Sequence, residues 1–185
     1  MLKIIILTLS LITSINSYSL VGAGGYVPFG LSTQKEDDGS RRTFSFEPYI
    51  FVNTILRAPF NHIFMTEFGY VFHTSKKYDE YKKSTMFLLL DLGYMLRSNL
   101  VLRYGIGIFK TSISSDGAAV TLANGTGTST FYRPSESKTT YNTTWNLGIE
   151  NSWNKHYATK LEFYLFEPIS SKRDISYSLS IAYYL

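Results

Sequence analysis

The sequence has no cysteine and only three histidines among its 185 residues. Without cysteine, the chain is not a small secreted domain held together by disulfides, and it offers no thiolates for a zinc site. The three histidines are far apart and no spaced carboxylates accompany them, so the sequence contains no metal-binding motif. We therefore expect neither a bound metal nor a cofactor.

Charge is also scarce, since Asp, Glu, Lys and Arg make up 17% of the chain whereas aromatic residues reach 16%. This composition excludes an intrinsically disordered chain, which needs high charge and few aromatics. The formal net charge of +4 is mild and no basic cluster accompanies a docking helix, so we expect no nucleic-acid partner. Beyond the N-terminus, no apolar run approaches the roughly 20 residues that a membrane-spanning helix needs.

The N-terminus has the layout of an export signal. Lys3 gives a basic start, residues 4–15 form an apolar core, and Ser17 and Ser19 stand three and one residues before a cleavage position. We predict a signal peptide over residues 1–19 and a mature barrel domain over residues 20–185. A retained N-terminal anchor is the alternative, which the short apolar core disfavours.

The last residues of the chain alternate strictly in character. Large apolar or aromatic residues alternate with small ones from Ile175 to Leu185. This period of two is typical of a strand with one apolar and one polar face. An unpaired apolar edge would aggregate in water, whereas a strand that closes a barrel in lipid has no free edge. We therefore interpret this segment as the closing strand of a membrane barrel.

Seven further segments are long enough for a tilted transmembrane strand, which needs roughly 9–11 residues. They cover residues 20–31, 42–55, 62–73, 85–97, 100–110, 141–152 and 156–167. The connections between them alternate in length, with long ones at 32–41, 74–84 and 111–140. The predicted fold is all-β, an eight-stranded antiparallel up-and-down transmembrane β-barrel with its long loops at one end. Within it, Pro48 lacks a ladder donor and predicts a bulge.

Charged residues fall almost entirely on the faces opposite the apolar rows. Because an eight-stranded barrel is narrow and an unpaired buried charge is costly, we predict that these side chains pair inside the lumen. The predicted lumen charge network consists of Glu47, Glu67, Asp91, Arg97, Arg103, Glu150, Lys160 and Glu162. Inward aromatic and aliphatic residues fill the remaining bore, which argues against an open pore. A proton or ion pathway through the charges is the alternative.

One pair of residues has the elements of a catalytic site. His73 and Ser75 are two positions apart at the end of a predicted strand, as a base and a nucleophile can be. The sequence offers no identifiable acid to orient His73. We therefore expect the chain not to be an enzyme, and predict no catalytic residue.

The combination of an export signal, eight amphipathic strands and the ending Tyr183-Tyr-Leu185 resembles the small eight-stranded outer-membrane barrels of Gram-negative bacteria, of the OmpA-barrel and OmpX type. The resemblance implies outer-membrane location and insertion by the barrel-assembly machinery, with Tyr183 and Leu185 as the assembly signal. Leu185 stands where phenylalanine is commonest in that family. A soluble lipocalin-like barrel is the alternative architecture.

The expected function follows from this architecture. We expect a monomeric integral outer-membrane protein that contacts lipid and has a structural or surface-interaction role through the loops 32–41, 74–84 and 111–140. A small channel or carrier for small or apolar solutes is a second hypothesis. A lipid-modifying outer-membrane enzyme acting through His73 and Ser75 is a third.

Overall fold

The computed structural model describes residues 17–28, 46–58, 60–73, 82–114, 119–123, 127–132, 137–170 and 173–185. These residues form ten strands: β1 (Ser17–Val27), β2 (Glu47–Arg57), β3 (His62–Phe72), β4 (Lys82–Arg97), β5 (Leu100–Ser114), β6 (Ala119–Ala123), β7 (Thr128–Tyr132), β8 (Ser137–Ser152), β9 (Tyr157–Phe166) and β10 (Asp174–Tyr184). The part of the chain so described has no helix long and apolar enough to cross a membrane.

Eight of these strands close into a barrel in the order β1-β10-β9-β8-β5-β4-β3-β2, and every neighbouring pair is antiparallel. Strands β6 and β7 form a separate two-stranded hairpin between β5 and β8. The predicted all-β, eight-stranded, up-and-down architecture is therefore confirmed. We call the end with the tight turns at 98–99 and 153–156 the short-turn end, and the opposite end the long-loop end.

The prediction of a loop over residues 111–140 is wrong. Strand β5 continues to Ser114, and β8 begins at Ser137, directly opposite it. A composition rich in serine and threonine is common in loops, but β-branched threonine also favours strands and pairs across them. The hydroxyls of Ser112 and Thr139 lie 3.1 Å apart across this ladder.

Other strand ends also differ from the predictions. Strand β1 covers Ser17–Val27 rather than 20–31, and Ser17 pairs with Leu56. The cleavage position after residue 19 stays a prediction. Strand β4 begins at Lys82, inside the predicted loop 74–84. The rest of that loop and the loop 32–41 lie outside the described residues.

The predicted bulge at Pro48 is wrong as well. The β1–β2 pairing keeps one register from Ser17 to Tyr26, through the pair Gly25 and Pro48. The β2–β3 pairing begins only at Tyr49, so Pro48 lies at the end of that ladder, where a missing donor is tolerated. The register shift lies instead in β4, between Met95 and Arg97.

The barrel strands alternate between an apolar outer face and a closely packed interior. In β2, for example, Ile50 and Val52 are about half exposed whereas Phe51 and Asn53 are buried. An apolar outside around a partly polar inside is the inverse of a water-soluble protein, and is the arrangement of membrane barrels. The outward apolar residues include Phe64, Phe68, Met86, Leu88, Leu90, Leu92, Ile106, Ile108, Trp145, Leu147, Ile149, Leu161, Phe163, Leu179 and Ile181.

Aromatic side chains fill the half of the lumen nearer the long-loop end. Phe109 is at their centre, with ring centroids 5.1 Å from Phe87, 4.9 Å from Phe166 and 5.4 Å from Tyr164. These rings are 3% exposed or less. The interior is therefore a packed core on this side, as expected for an eight-stranded barrel.

The β1–β10 seam closes the barrel and settles the orientation of the Gly-rich first strand. Its pairing runs from Leu20–Tyr184 to Val27–Tyr177. Leu20 and Tyr26 are buried, whereas Val21 and Ala23 are exposed on the outer face. A Cβ added at Gly24 would collide with the carbonyl oxygen of Leu179 and with Ser180. The strand needs glycine here because the backbone of β10 lies so close.

We expect Gly24→Val to block closure of the barrel, because the new side chain would collide with the backbone of β10. The matched control is Ala23→Val, which adds a similar side chain to the exposed face of the same strand. The measurement is the heat-dependent shift of the refolded protein on an SDS gel. Equal yields of heat-modifiable barrel for the two variants would contradict this account of the seam.

Candidate functional site

Six charged side chains meet in the middle of the lumen, and none of them is more than 2% exposed. We call this group the ionic cluster; it consists of Glu67, Asp91, Arg103, Glu150, Lys160 and Glu162. It contains four carboxylates and two cations, contributed by five different strands. The structure thus brings together six of the eight residues of the predicted lumen network.

Arg103 is the centre of the ionic cluster. Its Nη2 lies 2.9 Å from both Glu67 Oε2 and Asp91 Oδ2. Its Nη1 lies 2.7 Å from Glu150 Oε2, and its Nε lies 3.0 Å from Glu162 Oε1. The last contact is an ion pair without hydrogen-bond alignment. One guanidinium therefore serves four carboxylates, which a compact ammonium with three donors could not do in this fan-shaped geometry.

Lys160 joins opposite sides of the barrel. Its Nζ lies 2.5 Å from Glu67 Oε1 and 3.0 Å from Glu162 Oε2. The same ammonium is 4.0 Å from the ring centroid of Phe51, a favourable cation–π distance. Because Glu67 lies on β3 and Lys160 on β9, this ion pair spans the lumen rather than linking neighbouring strands.

Neutral donors complete the hydrogen bonding of the carboxylates. Asn53 Nδ2 donates to Glu67 at 3.1 Å, and Asn146 Nδ2 donates to Asp91. The hydroxyl of Tyr164 donates to Glu162 at 2.7 Å and that of Tyr184 donates to Glu150 at 2.8 Å. Each oxygen of the four carboxylates now faces at least one donor. Seven of the eight carboxylate oxygens accept a hydrogen bond, and Glu162 Oε1 has its ion pair with Arg103 Nε alone. This nearly complete network stabilises one arrangement of the lumen.

Glycines on neighbouring strands give the cluster its space. Arg103 stands between Gly93 on β4 and Gly148 on β8 in the same row of the sheet. A Cβ at Gly148 would collide with the side chain of Glu162. Because glycine has no side chain, the guanidinium can extend across its neighbours to carboxylates two strands away.

Sequence reasoning missed the neutral members of the network, which are Asn53, Asn146, Tyr164 and Tyr184. A usable signal was present. Asn146 and Tyr164, for example, are an even number of positions from Glu150 and Glu162 on their own strands, so alternation places them on the inward face. Pairing the strands in register would have placed Asn146 opposite Gly105, and Gly105 opposite Asp91.

Arg97 is not part of the ionic cluster, so its prediction as a lumen residue is wrong. Strict alternation along β4 gave it the same facing as Asp91. The register shift between Met95 and Arg97 breaks that alternation. As a result, Arg97 is exposed at the short-turn end.

Glu47 also lies apart from the cluster, because it pairs with His73 at the long-loop end. His73 Nδ1 lies 2.7 Å from Glu47 Oε2, and His73 Nε2 lies 2.7 Å from the hydroxyl of Thr85. That hydroxyl is 3.0 Å from the hydroxyl of Thr111. Glu47 is thus an acid beside His73 that the sequence did not reveal, in an ion pair without hydrogen-bond alignment, and Ser75 lies outside the described residues.

The Glu47, His73 and Thr85 chain has the order of an acid, a histidine and a hydroxyl, which is the order used in nucleophilic catalysis. Thr85 is only 4% exposed. A nucleophile must be reachable by the carbonyl that it attacks, and this hydroxyl is enclosed by the barrel wall. The geometry supports a structural role, in which four strands are linked at the mouth of the lumen.

The two residues of the predicted assembly signal lie on the outer face of the seam. Tyr183 pairs with Val21 on β1 and packs against His156, with a ring distance of 5.8 Å. Leu185 is exposed and its backbone N–H donates to Ser19 at 2.9 Å. Recognition of these residues by assembly machinery stays a prediction.

Within the described residues, no group of three or more His, Asp or Glu side chains is arranged to hold a metal ion.

No protein-family model and no curated protein sequence matches the chain. Among solved structures, it is similar to Ail, the attachment invasion locus protein of Yersinia pestis, with a TM-score of 0.51 over 91% of this chain and 97% of Ail. It is also similar to Neisserial surface protein A, with a TM-score of 0.52 over 91% of this chain and 96% of that one. The chain has the fold of the small eight-stranded outer-membrane β-barrels. The resemblance expected from the sequence is confirmed at the level of fold, and identities of 11% and 10% carry it no further.

We expect Arg103→Leu to destabilise the barrel strongly, because it leaves four buried carboxylates without their shared cation. Breaking one side of a buried ion pair costs about 3–5 kcal/mol of unfolding free energy. The control is Arg97→Leu, which removes an exposed cation and should change stability by less than about 0.5 kcal/mol. Urea unfolding of the refolded protein, followed by tryptophan fluorescence, measures both. Similar midpoints for the two variants would contradict a central role for Arg103.

Proposed function

We propose that the chain is an integral outer-membrane protein of a Gram-negative bacterium. The continuous apolar belt around the barrel supports this, because such a belt is stable in lipid and would aggregate in water. A structure of Ail with the same fold was determined in a phospholipid bilayer nanodisc. Outer-membrane barrels have short turns on the periplasmic side and longer loops outside the cell. The short-turn end therefore faces the periplasm and the long-loop end faces the outside. Export by the predicted signal peptide and insertion by the barrel-assembly machinery belong to the same proposal.

The packed lumen supports a binding role over a conducting one. Closely packed aromatic rings close the half nearer the long-loop end, and the hydrogen-bonded ionic cluster closes the middle. Moving an ion along this axis would require several buried ion pairs to break together. Their separation is costly in a low-dielectric interior.

Part of the sheet extends beyond the rest of the barrel at the long-loop end. The β5–β8 ladder continues through Lys110–Tyr141 to Ser114–Ser137, whereas the β8–β9 ladder starts only at Thr144. We call residues 110–114 and 137–141 the outer extension. At roughly 3.4 Å per residue, it projects well past the rim formed by β9.

Within the described residues, the β8 side of the outer extension is an open strand edge. The last backbone contact on that side is from Glu167 N–H to the carbonyl of Thr143, at 2.9 Å. From Ser137 to Asn142, no strand of the described chain pairs with this edge. Open edges present unpaired N–H and C=O groups, to which an extended peptide can add as a further strand.

We infer that the protein binds a surface ligand through this edge, with an extended segment of a partner protein pairing with β8. The open edge is the single observation that carries the proposal. The residues of the edge support pairing, because threonine and tyrosine favour strands and their side chains are exposed. The rigid barrel below would hold the edge in place, so that a partner orders only its own segment.

A polyanionic saccharide is a second candidate ligand. Lys82, Lys110 and Lys138 are exposed on or beside the outer extension, and residues 110–114 and 137–141 contain no acidic residue. A structure of Ail, which has the same fold, contains the heparin analogue sucrose octasulfate. Lysines are suitable partners for sulfate groups, and such binding would weaken steeply with added salt.

Two shortened proteins test the edge against the neighbouring hairpin. In the first, Asn-Gly replaces residues 115–136, which removes β6 and β7 and keeps the outer extension. In the second, Asn-Gly replaces residues 110–141, which removes the edge as well; both join paired strand ends with a two-residue turn. The probe is the set of peptides selected from a random display library on the nanodisc-embedded wild-type protein.

We expect the first shortened protein to keep peptide binding and the second to lose it. Retention on a heparin column, with and without Lys→Gln changes at Lys82, Lys110 and Lys138, tests the saccharide separately. Undiminished peptide binding by the second protein would refute the edge as the binding element. Loss of binding in the first protein would transfer the role to the β6–β7 hairpin.

The packed lumen also predicts the electrical behaviour of the protein. In planar bilayers at neutral pH, we expect the refolded protein to give no steady ohmic conductance. An ohmic current that scales with the amount of inserted protein would favour the channel hypothesis instead.

A further inference from the structure

The short-turn end of the barrel contains a cavity of about 1020 Å³. Ile55, Ile63 and Val101 line its walls, and Arg57, Lys155 and His156 are at its rim. We call this cavity the inner cup. Its volume is at the upper end of the 300–1,000 Å³ typical of small-molecule pockets.

The inner cup is blind at its inner end. Glu150 lines the cup and belongs to the ionic cluster, where Arg103 and the hydroxyl of Tyr184 hold it. The hydroxyl of Tyr184 is also 3.0 Å from that of Ser152, which lines the cup beside it. A ligand that enters from the short-turn end therefore meets a fixed polar ceiling rather than an opening into the lumen.

The walls of the cup are apolar although they face an open mouth. Ile55 and Ile63 show only 5% and 7% of their surface to the cup, and the more accessible side chains of Met95, which is 37% exposed, and Val101 continue the apolar surface. Apolar walls in contact with water favour an occupant with an aliphatic part, since each CH₂ group buried contributes about 0.8 kcal/mol.

The rim of the cup is basic. The Arg57 guanidinium lies 5.3 Å from the ring centroid of Tyr18, which holds it at the mouth. Lys155 and His156 belong to the exposed turn between β8 and β9. The one acidic side chain in the lining is Glu150, which pairs with Arg103 at the inner end of the cup rather than at the rim. The cup thus combines an apolar interior with a positively charged entrance.

We propose that the inner cup binds an aliphatic monocarboxylate, that is, a fatty-acid anion. The alkyl chain would lie between Ile55, Ile63 and Val101, and the carboxylate would meet Arg57 and Lys155 at the rim. The proposal is independent of the outer extension, which lies at the opposite end of the barrel.

The test uses the full chain in nanodiscs with ¹³C-labelled isoleucine methyl groups and sodium octanoate as the probe. We expect saturable shifts of the Ile55 and Ile63 methyl signals. Ile106 and Ile149, which are exposed on the outer face, report partitioning of octanoate into the bilayer and should not follow the same curve. The neutral analogue octanol should bind at least several-fold more weakly, because it offers no charge to the rim.

Two variants test the charge recognition. Arg57→Gln combined with Lys155→Gln should weaken octanoate binding roughly tenfold, the effect of losing charge-assisted contacts. Lys155→Gln alone, in an exposed turn, serves if the double variant does not give a heat-modifiable barrel. Lys110→Gln with Lys138→Gln is the matched control at the other end and should leave binding unchanged.

Three results would overturn the proposal. The first is the absence of saturable shifts at Ile55 and Ile63. The second is an identical response of Ile106 and Ile149, which means bilayer partitioning only. The third is a lack of charge recognition, shown either by equal affinity for octanol and octanoate or by unchanged octanoate affinity in the rim variants.

Discussion

The structure depends on one constraint: the buried charges in the lumen must all be satisfied at once. Arg103 extends from β5 to carboxylates on β3, β4, β8 and β9, and Lys160 on β9 returns to β3. A slip of two residues in any of these strands would keep its charges in the lumen but move them by roughly 7 Å along the strand, away from their partners. The cluster therefore fixes the register of five strands together, which hydrophobic alternation alone does not do.

The other parts of the lumen lie on either side of the ionic cluster. On one side, the aromatic core around Phe109 closes the lumen, and the Glu47, His73 and Thr85 chain links the strands at the mouth. On the other side, the lumen ends at Glu150 and leaves the inner cup open. Because the ionic cluster and the aromatic core close the lumen, other molecules can bind only at the two ends of the barrel. The outer extension offers backbone hydrogen-bonding groups, whereas the inner cup offers an apolar volume with a basic rim.

Sequence alone predicted the barrel well because its determinants are local. The alternation from Ile175 to Leu185 repeats in most barrel strands, and parity along one strand is enough to place Glu67, Glu150 or Glu162 inside. It failed where one strand depends on another. Arg97 turns outward because β4 shifts register against β5, and the partner of His73 is a glutamate on a different strand.

The prediction for 111–140 failed for a related reason. Its serines and threonines form strands because β5 and β8 already lie side by side, and composition does not contain that information. The space around Arg103 is a further example, since Gly93 and Gly148 matter only once the strands are aligned. Alternation along each strand predicted which side chains face the lumen, whereas pairing between strands determines the ionic cluster and the outer extension.

A double-mutant cycle across the lumen tests the central role of the ionic cluster most directly. Lys160→Met, Glu67→Gln and the combined variant are unfolded in urea beside the wild-type protein, with the residues on β9 and β3 too far apart in the sheet to share a ladder. The account predicts a coupling energy of about 2 kcal/mol or more, near the upper end of what contacting residues show. A coupling below about 0.5 kcal/mol would mean that the pair adds nothing across the lumen, and would contradict the claim that the charges fix the register of the barrel.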